Sequence, residues 1–375
     1  MEKFKTVQLK TTPGDFFMKL PADTFVWKYG RKIGSLFFRK KFGITHEGQV
    51  PEPPFVLVSN HVSYWDPFFL ACPIKHPTAW VAARGHFESS LLAPLIKATG
   101  AIPKRKARPD VETIKGIFHV LRQGGVVGLF PEGSISWTGQ TGDYFPGTDK
   151  LLDRANVPIL AVRIKGAWLK KPRWADRARK GRVHLELKTF EGSKALDFID
   201  YSEWEWQKQE KNIFPGTRRA EGITRVLWFC SKCGAFEKFT VQGNDAECSD
   251  CGEIWHVDEC GYVNGLDGVQ LYNEQLELLQ KYLEGNNSIQ ALNAKGELKN
   301  TRGNGKREKF SRDITLTEET FSVGEKVFPV SKIRGQATFM KKGLEFSFGD
   351  YWVQLKIPYA SLLLSSSLEI LKKEN

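Results

Sequence analysis

The chain has 375 residues, 41% hydrophobic and 26% charged, with a formal net charge of +12. These proportions exclude a disordered chain, and the length accommodates two or three domains, each with its own core. No apolar run approaches the roughly 18 residues that cross a bilayer, and the amino terminus lacks the apolar core of a signal peptide, so the expectation is a cytosolic, non-integral protein.

The charge is uneven. Residues 1–50 carry 10 Lys and Arg against 4 Asp and Glu, and residues 151–200 carry 12 against 6, whereas residues 201–300 carry 10 against 16. A basic surface in the first two hundred residues implies a partner bearing phosphate, either nucleic acid or an anionic membrane surface. Within the first of these stretches, Thr24 to Phe42 mixes Trp27, Phe37 and Phe38 with Arg31, Lys32, Arg39, Lys40 and Lys41 at helix-like spacing. That is the pattern of an interfacial amphipathic helix, although Gly30 and Gly34 weaken it and an ordinary packed helix has similar spacing.

Phe55-Val56-Leu57-Val58 reads as a buried strand that delivers Asn60-His61, with Asp66-Pro67 five positions on. Residues five apart on an ideal helix diverge by roughly 140°, so His61 and Asp66 pair only if Val62 to Trp65 form a turn. Pro67 favours that turn and the first position of a helix, which makes Asp66 the expected N-cap. Paired in this way, Asp66 fixes the imidazole tautomer and leaves the other nitrogen free to act as a general base. The simpler reading is a helix cap beside a loop histidine.

Ala79 to Ala83 reads as the next strand, Leu91 to Thr99 as a helix, and Gly100 to Arg108 as a strand end running into basic residues. Asp110 is the expected cap of a helix, Val111 to Leu121, with Ile114, Phe118 and Leu121 on one face; Gly124-Gly125 ends it. Val126 to Phe130 is a buried strand ending at Pro131-Glu132-Gly133-Ser134, and Ile159 to Ile164 repeats the pattern after Val157-Pro158. Strands alternating with helices predict an α/β fold with a mostly parallel sheet flanked by helices.

Four stretches together, Asn60 to Asp66, Gly100 to Lys106, Phe130 to Ser134 and Val157 to Ala161, resemble the four blocks of the glycerolipid acyltransferases, in particular the 1-acylglycerol-3-phosphate acyltransferases, in the same order. The resemblance covers roughly residues 30–190. It implies His61 as catalytic base with Asp66 as its partner, and Lys104, Arg105 and Lys106 as the grip on an acceptor phosphate. Glu132, Gly133 and Ser134 fall in the acceptor-binding block. It further implies a lysophospholipid acceptor, an acyl thioester donor (acyl-CoA or acyl carrier protein) and a location at the inner face of the membrane. Ser134-Ile135 stand where that family usually has Thr-Arg, Lys106 where it has arginine, and Ala161 where proline is common. A Ser-His-Asp esterase is the alternative enzyme, with Ser63 or Ser134 as nucleophile, but neither lies in a Gly-x-Ser-x-Gly turn.

Gly166 to Arg182 interleaves Trp168 and Trp174 with a dense basic run and reads as a second membrane contact, with a nucleic-acid contact or a solvated loop as the alternatives. Cys230-x2-Cys233 and Cys248-x2-Cys251 then have the spacing of a structural zinc ribbon, with Gly234 and Gly252 supplying the knuckle turns and His256 and Cys260 surplus. The acidic charge around the ribbon opposes a nucleic-acid role. Tyr272 to Leu283 is an expected helix and Asn286 to Lys309 an expected exposed linker. Short strands follow at Ile314 to Thr317, Thr320 to Val323, Gln336 to Met340, Leu344 to Phe348 and Tyr351 to Ile357, with a closing helix from Ser361 to Lys373. The resulting division is an amphipathic segment 1–45, the catalytic domain 46–222, the ribbon 223–265, a helix and linker 266–309, and a small β domain 310–375.

Overall fold

A computed structural model describes residues 30–83, 99–104, 111–300 and 307–373. The apolar runs pair as expected. Strands β1 (Ile44–Glu47), β2 (Phe55–Ser59), β3 (Thr78–Ala83), β4 (Ile102–Lys104), β5 (Val126–Leu129), β6 (Ile159–Lys165) and β7 (Val183–Phe190) form one sheet in the order β1-β7-β6-β2-β5-β3-β4. The pairs from β6 through β2, β5 and β3 to β4 are parallel; β7 runs antiparallel to β6, and β1 is parallel to β7. Every residue of β2 and β5 is buried, as expected of a sheet covered on both faces. On one side Val56, Val58, Val127 and Ile159 pack with the helix Val111–Arg122 and the helix Lys194–Ile199; on the other, Phe55, Leu57 and Leu160 pack with the helix Asp66–Leu70.

The helix Val111–Arg122 buries Thr113, Gly116, Ile117, Val120 and Leu121 and leaves Ile114 exposed, so the buried stripe is displaced by one position from the expected one. A second difference concerns Gly166 to Arg182. Trp168 and Trp174 are core residues, 1% and 3% exposed, and Lys170, Arg173 and Arg179 are buried beside them. Their cationic ends find carbonyls: Lys170 donates to Gly181 O at 2.6 Å and Arg179 to Leu169 O at 3.3 Å. The stretch is folded inward and offers no tryptophan to a membrane. The helix expected over Leu91 to Thr99 and the cap expected at Asp110 fall outside the described residues, apart from Thr99.

Downstream, β8 (Phe239–Gln242), β9 (Asp245–Cys248) and β10 (Ile254–His256) make an antiparallel ribbon. The helix Gly268–Glu284 follows, N-capped by Asp267 in a capping box with Gln270. It docks the ribbon through Gln275, whose Oε1 accepts from the Trp228 and Phe229 N–H groups at 2.7 Å each.

The expected linker 286–309 is not a linker. Strands β11 (Ile289–Asn300) and β12 (Arg307–Leu316) pair with each other and continue the tail strands into a seven-stranded antiparallel sheet. Its order is β14 (Lys326–Pro329), β13 (Thr320–Val323), β12, β11, β17 (Tyr351–Lys356), β16 (Gly343–Phe348), β15 (Arg334–Phe339), and the helix Ser361–Lys373 packs on β15 and β16. The β module therefore begins near residue 289, some twenty residues before the expected boundary, and β14 is an unforeseen strand.

Candidate active site

Strands β2 and β5 are adjacent and parallel, and Val58 pairs with Leu129. His61 and Glu132 each lie three residues beyond those partners, so the register brings both to the same height past the carboxyl ends of the strands, where open α/β sheets carry their sites. The His61 N–H donates to Glu132 Oε1 at 2.7 Å. Glu132 Oε2 accepts from the Gly142 N–H at 2.9 Å, so this carboxyl group braces the loop that carries His61. Asn60 anchors the same loop to β6, pairing with both backbone groups of Ile164 at 2.8 and 3.1 Å.

The four-residue bend forms. His61 Nδ1 lies 2.8 Å from Asp66 Oδ2, and that oxygen also accepts from the Val62 and Ser63 N–H groups at 2.8 and 2.9 Å. Asp66 is the first residue of its helix, with Trp65 as N-cap, so its side chain turns back to hold the bend and does not cap the helix as expected. Its carboxyl is fully buried while the His61 side chain is 18% exposed. Burial pushes the Asp66 carboxyl above the ordinary carboxylate range, and the hydrogen bonds from His61, Ser63 and Val62 draw it back. The imidazole stacks on Phe130 (4.1 Å, 13°), which stacks on Trp80 (5.0 Å, 10°). Phe130, read only as a strand end, is thus the platform that fixes the ring plane.

Lys104 ends β4 with Nζ 3.3 Å from the Phe145 ring centroid, and the Phe145 N–H donates to Pro131 O, one residue before Glu132. Arg105 and Lys106 lie outside the described residues. Gly133 takes φ +65°, the left-handed turn that glycine allows, and its N–H donates to Phe130 O. Ser134 Oγ accepts from Arg173 at 3.1 Å, and Ser63 Oγ accepts from the Trp65 N–H at 3.2 Å. Among the described residues neither serine hydroxyl bonds to His61, which leaves the esterase arrangement without a nucleophile–base pair.

Arg173 is the residue that the charge pattern concealed. It is 4% exposed, lies 4.2 Å from the Trp137 ring centroid, meets the Tyr64 hydroxyl, and donates to Ile135 O, Thr338 O and Met340 O. It joins the His61–Asp66 bend and the Glu132 loop to the carboxyl-terminal β module.

Outside the bend, Ile33, Leu36 and Phe37 on the helix Arg31–Phe42 are 75%, 71% and 54% exposed, and Trp65 and Phe68 are exposed as well. Phe38 stacks on Phe68 at 5.0 Å and joins these groups into one apolar surface, and Arg39, Lys40 and Lys41 sit in the last turn of the helix. Thr24 to Tyr29, the start of the expected amphipathic segment, fall outside the described residues.

At the ribbon the Sγ atoms of Cys230, Cys233, Cys248 and Cys251 lie within 4.8 Å of one another, with two pairs 3.7 Å apart. A tetrahedron of thiolates about 2.3 Å from a zinc ion has edges of about 3.8 Å, so the donor set fits that metal. Gly234 and Gly252 take positive φ in the two knuckle turns. His256 is engaged by Asp245 at 2.6 Å.

Burial also pushes the carboxyls of Glu132 and Glu203 up to about 8 each, from an ordinary 4.5. In the folded chain both hold a proton that the unfolded chain releases above about pH 4.5, so their stabilising contribution is full below that pH and is lost as pH rises through 8. The melting temperature should therefore fall from pH 6 to pH 9, and Glu203→Gln should make the fall shallower. An unchanged slope in that variant would remove Glu203 as a source.

The site is thus a carboxylate-held histidine at the strand ends of a mostly parallel α/β sheet. Residues 41–165 match the model of the acyltransferase family. Over 172 residues, 44% of the chain, it is 27% identical to a probable 1-acyl-sn-glycerol-3-phosphate acyltransferase of Mycoplasma genitalium. Over 130 residues, 34% of the chain, it is 28% identical to the 1-acyl-sn-glycerol-3-phosphate acyltransferase of Pseudomonas aeruginosa. The matches span 62% and 50% of the length of these two curated relatives. The crystal structure of the 1-acyl-sn-glycerophosphate acyltransferase PlsC from Thermotoga maritima aligns with 51% of this chain and 83% of its own, at TM-score 0.41 and 18% identity.

Proposed function

We propose that the chain transfers a fatty acyl group from an acyl thioester, acyl-CoA or acyl carrier protein, to the hydroxyl of a lysophospholipid such as 1-acylglycerol-3-phosphate. The observation that carries this reading is the 2.8 Å contact between His61 Nδ1 and the buried Asp66 Oδ2. With Nδ1–H donated to Asp66, Nε2 is left to accept the acceptor's hydroxyl proton. The alkoxide attacks the thioester carbonyl, the C–S bond breaks, and the imidazolium returns its proton to the departing thiolate. Asp66 steadies the imidazolium throughout. Lys104, Arg105 and Lys106 hold the acceptor phosphate; Glu132 and Gly133 shape the loop beside His61, and Ser134 takes its place on the acceptor side.

The exposed surface of Ile33, Leu36, Phe37, Trp65 and Phe68, next to the basic last turn of the first helix, is the part that meets the membrane. The contact proposed is peripheral, at the cytoplasmic face; no described helix is long and apolar enough to cross a membrane. The four cysteines hold a structural zinc.

Asp66→Asn tests the pairing. The asparagine oxygen, in the place of Oδ2, can still accept from Val62, Ser63 and His61 Nδ1–H, but the neutral side chain no longer stabilises an imidazolium, and its amide takes the buried position of Oδ1, where it meets no acceptor. Transfer should drop about 10²–10⁴-fold with the fold retained. Full activity in this variant would reduce Asp66 to a brace for the bend.

A further inference from the structure

His61 is held by its backbone as well as by Asp66. Its N–H donates to Glu132 Oε1 at 2.7 Å, and its carbonyl accepts from the Ser136 N–H at 2.8 Å. The second bond depends on how one peptide unit is turned. In a trans peptide the C=O and N–H groups point in opposite directions. The unit joining Ile135 to Ser136 therefore presents its N–H to His61 and its carbonyl to the far side, where Arg173 Nη1 donates to it.

The other donors of Arg173 go to two further places. Nη1 also reaches Ser134 Oγ at 3.1 Å, Nη2 reaches Thr338 Oγ1 at 3.0 Å, and Nε reaches Met340 O at 3.0 Å. Trp137 lies against the guanidinium and donates its indole N–H to the same Thr338 hydroxyl at 3.0 Å. Across the bend, the Tyr64 hydroxyl faces the guanidinium. A buried cation is tolerated only with a full set of hydrogen-bond partners, so the oxygens around Arg173 are held in one arrangement. The loop 134–137, the bend at Tyr64 and strand β15 meet on this one side chain. Arg173 and Thr338 both lie outside residues 41–165, the part matched to the family.

We propose that Arg173 is a positioning residue for His61 and that Thr338 anchors it, so that the carboxyl-terminal β module tunes the reaction by fixing the Ile135–Ser136 peptide against the His61 carbonyl. The inference rests on the reading of His61 as the base of acyl transfer. If that peptide is loosened, the imidazole drifts from the acceptor hydroxyl while the substrate contacts persist, so the loss falls on kcat and not on KM. A second tie between the module and the catalytic domain, Lys341 to Ala175 O and the Asp176 carboxylate, makes no bond to this peptide and serves as the control.

The test measures kcat and KM for the full chain and its variants well below their melting temperatures. Labelled acyl-CoA, and in parallel labelled acyl carrier protein, is presented with lysophosphatidate and with its glycerol, inositol, ethanolamine and choline diesters in detergent micelles. Thr338→Val keeps the shape of the side chain and removes the shared hydroxyl. Arg173→Lys keeps the charge, but one ammonium cannot serve the oxygens of both the loop and β15. Each should lower kcat by about 10- to 100-fold and leave KM for acceptor and donor within about twofold. Lys341→Met should lower the melting temperature and leave kcat within about twofold, because it does not displace the base. Placed in His61→Ala, Thr338→Val should change the residual rate by less than about twofold, since substitutions acting through one group are not additive. Unchanged kcat in Thr338→Val or Arg173→Lys, a loss confined to KM, an equal kcat loss in Lys341→Met, or a further full loss in the His61→Ala background would overturn the inference and leave the acyltransferase reading standing. Absence of transfer by the wild-type chain to every acceptor from either donor would overturn both.

Discussion

Replacing His61 with alanine should lower acyl transfer by at least about 10²–10⁴-fold, the contribution of a positioned general base, while the chain keeps its melting temperature within a few degrees. The asymmetry between the two effects follows from the surroundings. The imidazole is partly exposed and rests on Phe130, so its removal leaves no enclosed cavity. Asp66 keeps the Val62 and Ser63 N–H groups, and the backbone of residue 61 keeps its bond to Glu132. What disappears is the proton acceptor. Turnover retained at the wild-type rate would refute the assignment; lost turnover with a large drop in melting temperature would point to a structural role.

The second large effect is expected at the ribbon. The purified chain should contain about one zinc per molecule by elemental analysis, and Cys248→Ser should lose it. Cys248 is buried and its Sγ lies 3.7 Å from that of Cys233, so the substitution removes one corner of a closed shell. Because binding a structural metal is coupled to folding, the variant should melt on the order of 10 °C lower, and a strong chelator should reproduce the shift in the wild type. A metal-free chain with unchanged melting would contradict the zinc assignment.

The sequence was most legible where local chemistry decides the outcome. Phe55 to Ser59 is continuously apolar up to its last residue and could only be buried, and the five-residue spacing of His61 and Asp66 demanded a bend if the two were to meet. The knuckle glycines and the closing helix were readable for similar reasons. Burial against distant partners was less visible. The basic run 166–182 looked like surface because lysine and arginine usually are, yet Arg173 is satisfied by carbonyls some 165 residues away, at Thr338 and Met340. Ile289 to Asn300 looked like a linker because Asn, Gly and charge dominate it. As an interior strand it gains its stability from pairing with β12 and β17 on both edges, which composition does not record. Asp66 illustrates a finer ambiguity: an aspartate before proline at a helix start can cap the helix or the loop before it, and only the positions of the Val62 and Ser63 N–H groups decide.

The most direct measurement is the reaction itself. Purified chain incubated with radiolabelled acyl-CoA or acyl carrier protein and a lysophospholipid should yield diacylated phospholipid and free thiol in equal amounts, dependent on His61 and without a trapped acyl-enzyme. Thioester hydrolysis with no acylated lipid, or a stable acyl adduct on Ser63 or Ser134, would contradict direct transfer by a histidine base.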